Sequence, residues 1–367
     1  ASRCAEILEG LGFELEEKAP GEWTTTVPSW RGDVSREADV VEEVGRHHGL
    51  DEIPSTIPAS LGVGHLGAGQ AEERILRDIL VGAGLDETIT YAFVDRSGDP
   101  GVAPVKLSNP LADQQSVLRT SLVAPGLLDA LETNVRQGRR DVALFELGRV
   151  FLPGEPLPNE ERRLALLLSG AARPAHWSEA AREVDVFDLK GALSLVFEGM
   201  GLGEPALDAD GPRPDFLHPG QSGAVVLDGT TIGWMGALRP GVREEKEPVM
   251  VAEIALDPVI AASARVARFE SLARHPAVER DLSVLADVGT AAADVVDKAQ
   301  AVAGELLRQV EVKDRYDRPP VPAGKVSLML SLRYQDPQRT LTSDEVQASV
   351  EAVIEELRGA GLEIRGE

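Results

Sequence analysis

From residue 274 to the C-terminus the sequence switches between two hydrophobic periods in a fixed order, and that order admits few folds. Residues 281–285, 306–316, 325–334 and 362–365 alternate or cluster as strands do, while apolar positions in 290–302 and 343–357 recur at helical spacing. The strand-helix-strand-strand-helix-strand order predicts a ferredoxin-like fold. In 325–334, Val326, Leu328, Leu330 and Leu332 share one parity and must face the helices, which leaves Ser327, Met329, Ser331 and Arg333 on the open face. The same parity on the neighbouring strand predicts Val310, Val312 and Tyr316 inward, with Lys313 and Arg315 outward. Arg365 joins them from the last strand. Lys313, Arg315, Arg333 and Arg365 are thus candidate nucleic-acid contacts, evenly balanced against an ordinary exposed face with ion pairs to Asp281, Glu311 and Glu363. Tyr316 and Tyr334 both fall on the buried parity, which argues against a base-stacking platform. At the second helix, Ser343 with Val346 lacks a full capping box.

A second informative unit is 27–58, VPSWRGDVSREADVVEEVGRHHGLDEIPSTIP. Pro28 removes a ladder donor and ends a Thr-rich strand. A helix is predicted from about Ser35, with Ser35 as N-cap, Val40, Val41 and Val44 as an apolar stripe, and Gly49 and Pro54 as stops. Asp39, Glu42 and Glu43 crowd one face of it, with Asp33 just upstream. Like charges so placed repel, and a hard cation such as magnesium, which takes one or two protein carboxylates, would relieve the repulsion. On spacing alone a solvated acidic face is favoured by about two to one. His47 and His48 are adjacent on the helix, so they diverge and cannot chelate one metal. Before this unit, 1–12 reads as a helix, and 13–15 with 23–27 as a strand pair across Pro20-Gly21.

Residues 60–70, SLGVGHLGAGQ, are Gly-rich and read as a linker; a phosphate loop would need a Gly-Lys-Ser/Thr ending that is absent. Beyond it, helices are predicted over 71–83 (Ile75, Ile79 and Leu80 inward), 122–137 and 184–197. Strands are predicted over 87–93, 141–152, 162–169, 224–227, 231–238 and 249–256, with Asp228-Gly229 as a two-residue hairpin turn. This is a mixed, largely antiparallel α+β domain. Glu146 and Arg149 could imitate an ATP-binding strand, although an interface or intrastrand ion pair fits them better. His218, before Pro219-Gly220, reads as a turn histidine rather than a general base.

At 367 residues the chain exceeds one ordinary domain of about 150 residues, and two or three are expected. No apolar run approaches the roughly 18 residues of a membrane span. Cys4 is the only cysteine, which excludes a disulfide framework and a multi-thiolate zinc site and fits a reducing cytoplasm. The net charge of −24 argues against a nucleic-acid-binding body, but leaves room for a local basic patch or a supporting role beside another chain. The opening without Met, in what reads as the middle of a unit, is that of a fragment truncated in its first domain.

Three sets of strings carry a family resemblance. VPSWRGD followed by EADVVEEVGRHHGLDEIP resembles the B5 domain of the bacterial phenylalanine–tRNA ligase beta subunit. LSNPLADQQSVLRTSL, LFELGRVF, FDLKGAL and LHPGQSGAVVLDGTTIGWMGALRP resemble its B6-B7 region, a synthetase-like module without chemistry. RHPAVERDLSVL, SLMLSLRYQ, RTLTSDEV and GLEIRGE resemble its ferredoxin-fold anticodon-binding domain, with His275 where Phe is usual and Asp314-Arg315-Tyr316 where Asp-Val-Tyr is usual. The resemblance implies an α+β multidomain chain: a B5 domain over 1–59, a linker over 60–70, the synthetase-like module over 71–262, a connector over 263–273 and the anticodon-binding domain over 274–367. It further implies a cytoplasmic α₂β₂ enzyme that joins phenylalanine to its tRNA with ATP and Mg2+, its catalytic residues lying in the alpha subunit. Magnesium would be held near the alpha-subunit contact by Asp33, Asp39, Glu42 and Glu43. No Glu-Arg pair follows a glycine ladder, since Gly199-Met200-Gly201-Leu202-Gly203 runs into Glu204-Pro205, so the module is expected to bind no aminoacyl-adenylate. The alternative is a non-catalytic RNA-binding or scaffolding protein derived from a synthetase.

Overall fold

The computed structural model describes residues 1–57, 64–95, 101–242, 247–263, 269 and 272–365. Parts of the expected linker (60–63) and connector (264–268 and 270–271) lie outside the described residues. The chain divides into two compact units, Ala1–Asp78 and Ile79–Glu367. Among the described residues no helix is long and apolar enough to cross a membrane.

In the first unit, α1 (Ser2–Gly10) leads to a hairpin of β1 (Glu14–Ala19) and β2 (Glu22–Thr26), followed by α2 (Glu37–His48). Leu8, Phe13 and Val34 form its small core, with Leu11, Leu15, Val27, Val40 and Val44 packed against it. Val40 and Val44 are one helical turn apart and face inward, whereas Val41 is 64% exposed and leaves the expected stripe. The N-cap also moves by one residue, to Arg36. Asp39 explains the shift: its carboxylate accepts the backbone N–H groups of Ser35 and Arg36, both at 2.8 Å, and satisfies the helix start from within.

The unit boundary falls inside α3 (Gln70–Gly82), where Leu76 and Leu80 are fully buried. Ile75, expected inward, is 45% exposed. Next come β3 (Asp86–Glu87), β4 (Phe93–Val94), β5 (Val117–Leu118), α4 (Leu128–Arg136), β6 (Val142–Leu152), β7 (Asn159–Ser169), α5 (Val186–Gly199), β8 (Ala206–Asp208), β9 (Leu217–Leu227), β10 (Thr230–Leu238), β11 (Val249–Ala255) and α6 (Leu256–Ala262). A 7-stranded sheet runs β3-β6-β7-β11-β10-β9-β8, and only its β3-β6 edge is parallel. Ala165 and Leu167 on one parity of β7 and Leu164 and Leu166 on the other are all buried, so the sheet is covered on both faces. Asp228 (φ 49°) and Gly229 (φ 76°) make the expected turn between β9 and β10.

Two expected elements are interrupted. The strand over 87–93 survives only at its ends, as β3 and β4: Thr88 N still reaches the Phe145 carbonyl of β6 at 2.8 Å, but Thr90 N donates to the Glu146 carboxylate at 3.3 Å instead of continuing the ladder. The helix over 122–137 breaks at Ala124 (φ −122°, ψ 113°), just before Pro125, and becomes a wide turn, Leu122–Leu127, followed by α4.

The C-terminal region has the expected β12 (Val278–Asp287), α7 (Ala292–Ala303), β13 (Leu307–Tyr316), β14 (Lys325–Tyr334), α8 (Ser343–Gly359) and β15 (Glu363–Arg365). The strand order β13-β14-β12-β15, all antiparallel, matches the ferredoxin-like expectation. Leu328, Leu330, Leu332 and Tyr334 pack with Val295, Ala299, Val350 and Val353 beneath it. A full capping box does open α8, one residue before Ser343: Thr342 accepts the Glu345 N–H, and Glu345 accepts from Thr342 N at 3.0 Å.

Candidate functional site

Two places bear on function: the α2 carboxylates and the open face of the C-terminal sheet. At α2, Arg31 stands between two of the four carboxylates. Its Nε and Nη2 donate to Asp33 at 2.9 and 2.6 Å, and its Nη1 and Nη2 donate to Glu43 at 3.2 and 2.9 Å. Arg46 adds a 2.6 Å bond to Glu43, which is buried. Asp39 is committed to the helix cap, and Glu42 is exposed on the next face. Among the described residues no group of three or more His, Cys, Asp or Glu side chains is placed to hold a metal ion. As placed, the four carboxylates do not fit a divalent ion.

The electrostatics follow from these bonds. The Arg31 guanidinium holds Asp33 at about 2, and Arg31 with Arg46 holds Glu43 at about 2; in an unfolded chain such groups titrate near about 4. Folded values below unfolded ones give stability that is complete above about pH 5 and is lost as pH falls from roughly 4.5 toward 2. The protection of the α2 amides, their exchange measured against the intrinsic rate at each pH, is therefore expected to fall across that window. An Arg31→Met chain should exchange faster at neutral pH and show a much smaller acid response; equal acid responses in the two chains would contradict this account.

On the C-terminal sheet, the register carries one correction to the parity argument. Val312 pairs with Leu330, but Asp314, not Lys313, pairs with Met329, so Lys313 is the extra residue of a β-bulge. Parity reverses beyond it. Tyr316 pairs with Ser327 on the open face and is 41% exposed, whereas Arg315 pairs with Leu328 on the helix-side parity and reaches Asp317 at 2.8 Å. Lys313 keeps to the open face: its ammonium, 2.7 Å from Glu311, is pushed up by that carboxylate, with Glu279 and Asp281 adding to the effect.

The open face is an ionic mixture. Lys313, Lys325, Arg333 and Arg365 share it with Glu279, Asp281, Asp287, Glu311, Asp314 and Glu363, so carboxylates outnumber cations. Lys325 is paired with Asp287 at 2.9 Å. Among the described residues no side-chain partner is recorded for Arg333 or Arg365, which leaves them the most available cations of the expected set.

The 7-stranded sheet holds buried charge networks that no motif announced. Glu146 accepts from Arg119 Nη1 at 2.7 Å and Thr90 Oγ1 at 2.8 Å, while Arg119 Nε donates to the Arg149 carbonyl at 2.8 Å. Arg149 pairs with Glu160 at 2.8 Å across the β6-β7 ladder, so Glu146 and Arg149 have separate partners instead of a mutual ion pair. Glu253 accepts from Ser121 Oγ (2.6 Å), Leu122 N (3.0 Å), Val123 N (3.1 Å) and Arg163 Nη1 (2.7 Å). His218, expected in a turn, lies instead in β9, where its Nδ1 accepts the Gly220 N–H at 3.1 Å.

A cavity of about 720 Å³ over β7, β10 and β11 is lined by Arg162, Arg163, Arg213, Trp234, Glu253 and Asp257 among others. Each lining arginine is engaged within the protein. Arg162 bonds Asp257 at 2.7 Å, Arg163 bonds Glu253 and Glu161, and Arg213 donates to the carbonyls of Ala209 and Gly211.

The chain's relatives agree with this architecture. Residues 1–50 match the family described as the tRNA synthetase B5 domain, 53–256 the phenylalanyl tRNA synthetase beta chain CLM domain, and 273–365 the ferredoxin-fold anticodon binding domain. The phenylalanine–tRNA ligase beta subunit of Moorella thermoacetica is 40% identical over 374 residues, covering 97% of this chain and 46% of that protein. Those of Bacillus thuringiensis subsp. konkukian and Vibrio cholerae serotype O1 are 36% and 35% identical, covering 99% and 95% of this chain and 46% and 45% of theirs. The chain thus spans about half the length of the curated relatives it matches. With three domain matches in sequence and the central one covering more than half of its residues, the chain belongs to the phenylalanyl-tRNA synthetase beta chain family.

Proposed function

We propose that this chain is the assembly and tRNA-recognition portion of a phenylalanine–tRNA ligase beta subunit, working in the cytoplasm within an α₂β₂ enzyme that uses ATP and Mg2+. In this reading residues 1–59, 71–262 and 274–367 are its working parts, and the alpha subunit carries the chemistry. The observation that supports it best is the state of the central cavity. An adenylate-forming site needs arginines free to hold phosphate, and those lining this cavity are bonded to Asp257, Glu253, Glu161 and backbone carbonyls. For Asp33, Asp39, Glu42 and Glu43 to hold the Mg2+ that the resemblance implies, the present hydrogen bonds of Asp33, Asp39 and Glu43 to Arg31, Arg46 and the helix start would have to open in the assembled enzyme.

Recognition of tRNA is assigned to Lys313, Arg333 and Arg365 on the open face, with Arg333 and Arg365 foremost because they have no internal side-chain partner among the described residues, while Arg315, on the opposite parity and paired with Asp317, is left out. Tyr316 and Met329, both exposed on the open face, offer it a surface against which a base can rest. Replacing Arg333 and Arg365 together by alanine in the reconstituted enzyme is expected to weaken tRNA binding. It should also lower the slope of log affinity against log salt by about 2. Filter binding across a salt series measures both, and an unchanged slope would remove these residues from the interface.

A further inference from the structure

We propose that Arg31 is the built-in counter-cation of the α2 carboxylates, standing where a divalent ion would bind, so that this chain folds without magnesium and takes up a divalent ion there only when Arg31 is withdrawn. The inference rests on reading the cluster as a cation site, and it sharpens that reading by naming the residue that controls occupancy.

The geometry carries it. Two edges of one planar guanidinium are used, Nε with Nη2 toward Asp33 and Nη1 with Nη2 toward Glu43. Arg46 takes the Oε2 atom of Glu43 at 2.6 Å, so both carboxylate oxygens of Glu43 are occupied by N–H donors. Two arginines thereby neutralise two carboxylates. Magnesium needs oxygen ligands at about 2.0–2.1 Å in near-octahedral array and cannot share these oxygens with N–H groups already bonded to them. Asp39 offers no easy replacement, because its Oδ2 atom accepts the N–H groups of Ser35 and Arg36, which lead into the helix. Arg31 is also fixed in place by its backbone: its N–H donates to the Pro28 carbonyl at 2.9 Å, and its own carbonyl accepts from Val34 N at 3.3 Å.

The test compares the 367-residue chain with its Arg31→Met and Arg31→Lys variants, melted in excess EDTA and in millimolar magnesium chloride, with magnesium binding followed by calorimetry. The unaltered chain is expected to melt at the same temperature in both buffers and to give no binding heat. Arg31→Met should melt several degrees lower in EDTA, recover part of that loss in magnesium, and bind the ion. If Arg31→Met does not fold, Arg31→Lys decides, since lysine keeps a charge but cannot bridge both carboxylates; it should show the same response at smaller size. An unaltered chain that melts lower in EDTA would overturn the role of Arg31 while leaving the cation-site reading standing. If neither variant responds to magnesium, both ideas fall. The ligase reading is judged separately, by charging of tRNA.

Discussion

Replacing Glu253 by alanine is expected to cost about 3–5 kcal/mol, the usual penalty for removing one partner of a buried ion pair. Glu253 is 1% exposed, and its Oε2 atom gathers the Ser121 hydroxyl and the backbone N–H groups of Leu122 and Val123, while Oε1 takes Arg163. Alanine would take the carboxylate acceptor from the buried Leu122 N–H, leave Val123 N only its bond to Ser121 Oγ, and strip Arg163 of one of its two carboxylates. The affected groups open the wide turn Leu122–Leu127, whose side chains Leu122, Val123 and Leu127 are fully buried in the core of the 7-stranded sheet. Against a whole-domain stability of about 5–15 kcal/mol the loss is large. Urea unfolding followed by circular dichroism should show a clearly lower midpoint for Glu253→Ala. A change below about 1 kcal/mol would mean that the network is solvated and has been misjudged.

The same network shows what the sequence could and could not reveal. Ser121 and Glu253 are 132 residues apart, and Arg119 and Glu146 are 27 apart, so no local spacing encodes either pairing. Periodic burial, in contrast, is local. Alternation within β14 placed both its boundaries and its buried face, and the Asp228-Gly229 turn followed from residues that tolerate positive φ. Errors arose where the backbone left its period. The bulge at Lys313 carries no glycine or proline to mark it, yet it moved Tyr316 to the open face and Arg315 away from it. At α2 the N-cap is Arg36 and not Ser35, and the Asp39 carboxylate at the third helical position reaches back to the Ser35 and Arg36 N–H groups. The four α2 carboxylates are visible in the sequence as a cluster, but nothing in the spacing of the string WRGD marks Arg31 as the partner of Asp33 and Glu43.

The second large effect concerns chemistry. This chain alone is expected to form no phenylalanyl-adenylate, because the arginines of its sheet cavity are bonded to its own carboxylates and carbonyls. Releasing Arg163 would break its ion pair with the buried Glu253, at a cost that phosphate binding must first recover. Together with an alpha chain the outcome should reverse: the two should copurify, and the complex should charge phenylalanine tRNA. The deciding measurement is phenylalanine- and ATP-dependent pyrophosphate exchange, run on the purified chain and on its complex with an alpha chain. Exchange by the complex and none by the chain alone is the predicted result; exchange by the chain alone, or an alpha chain that neither binds it nor becomes active with it, would contradict the account.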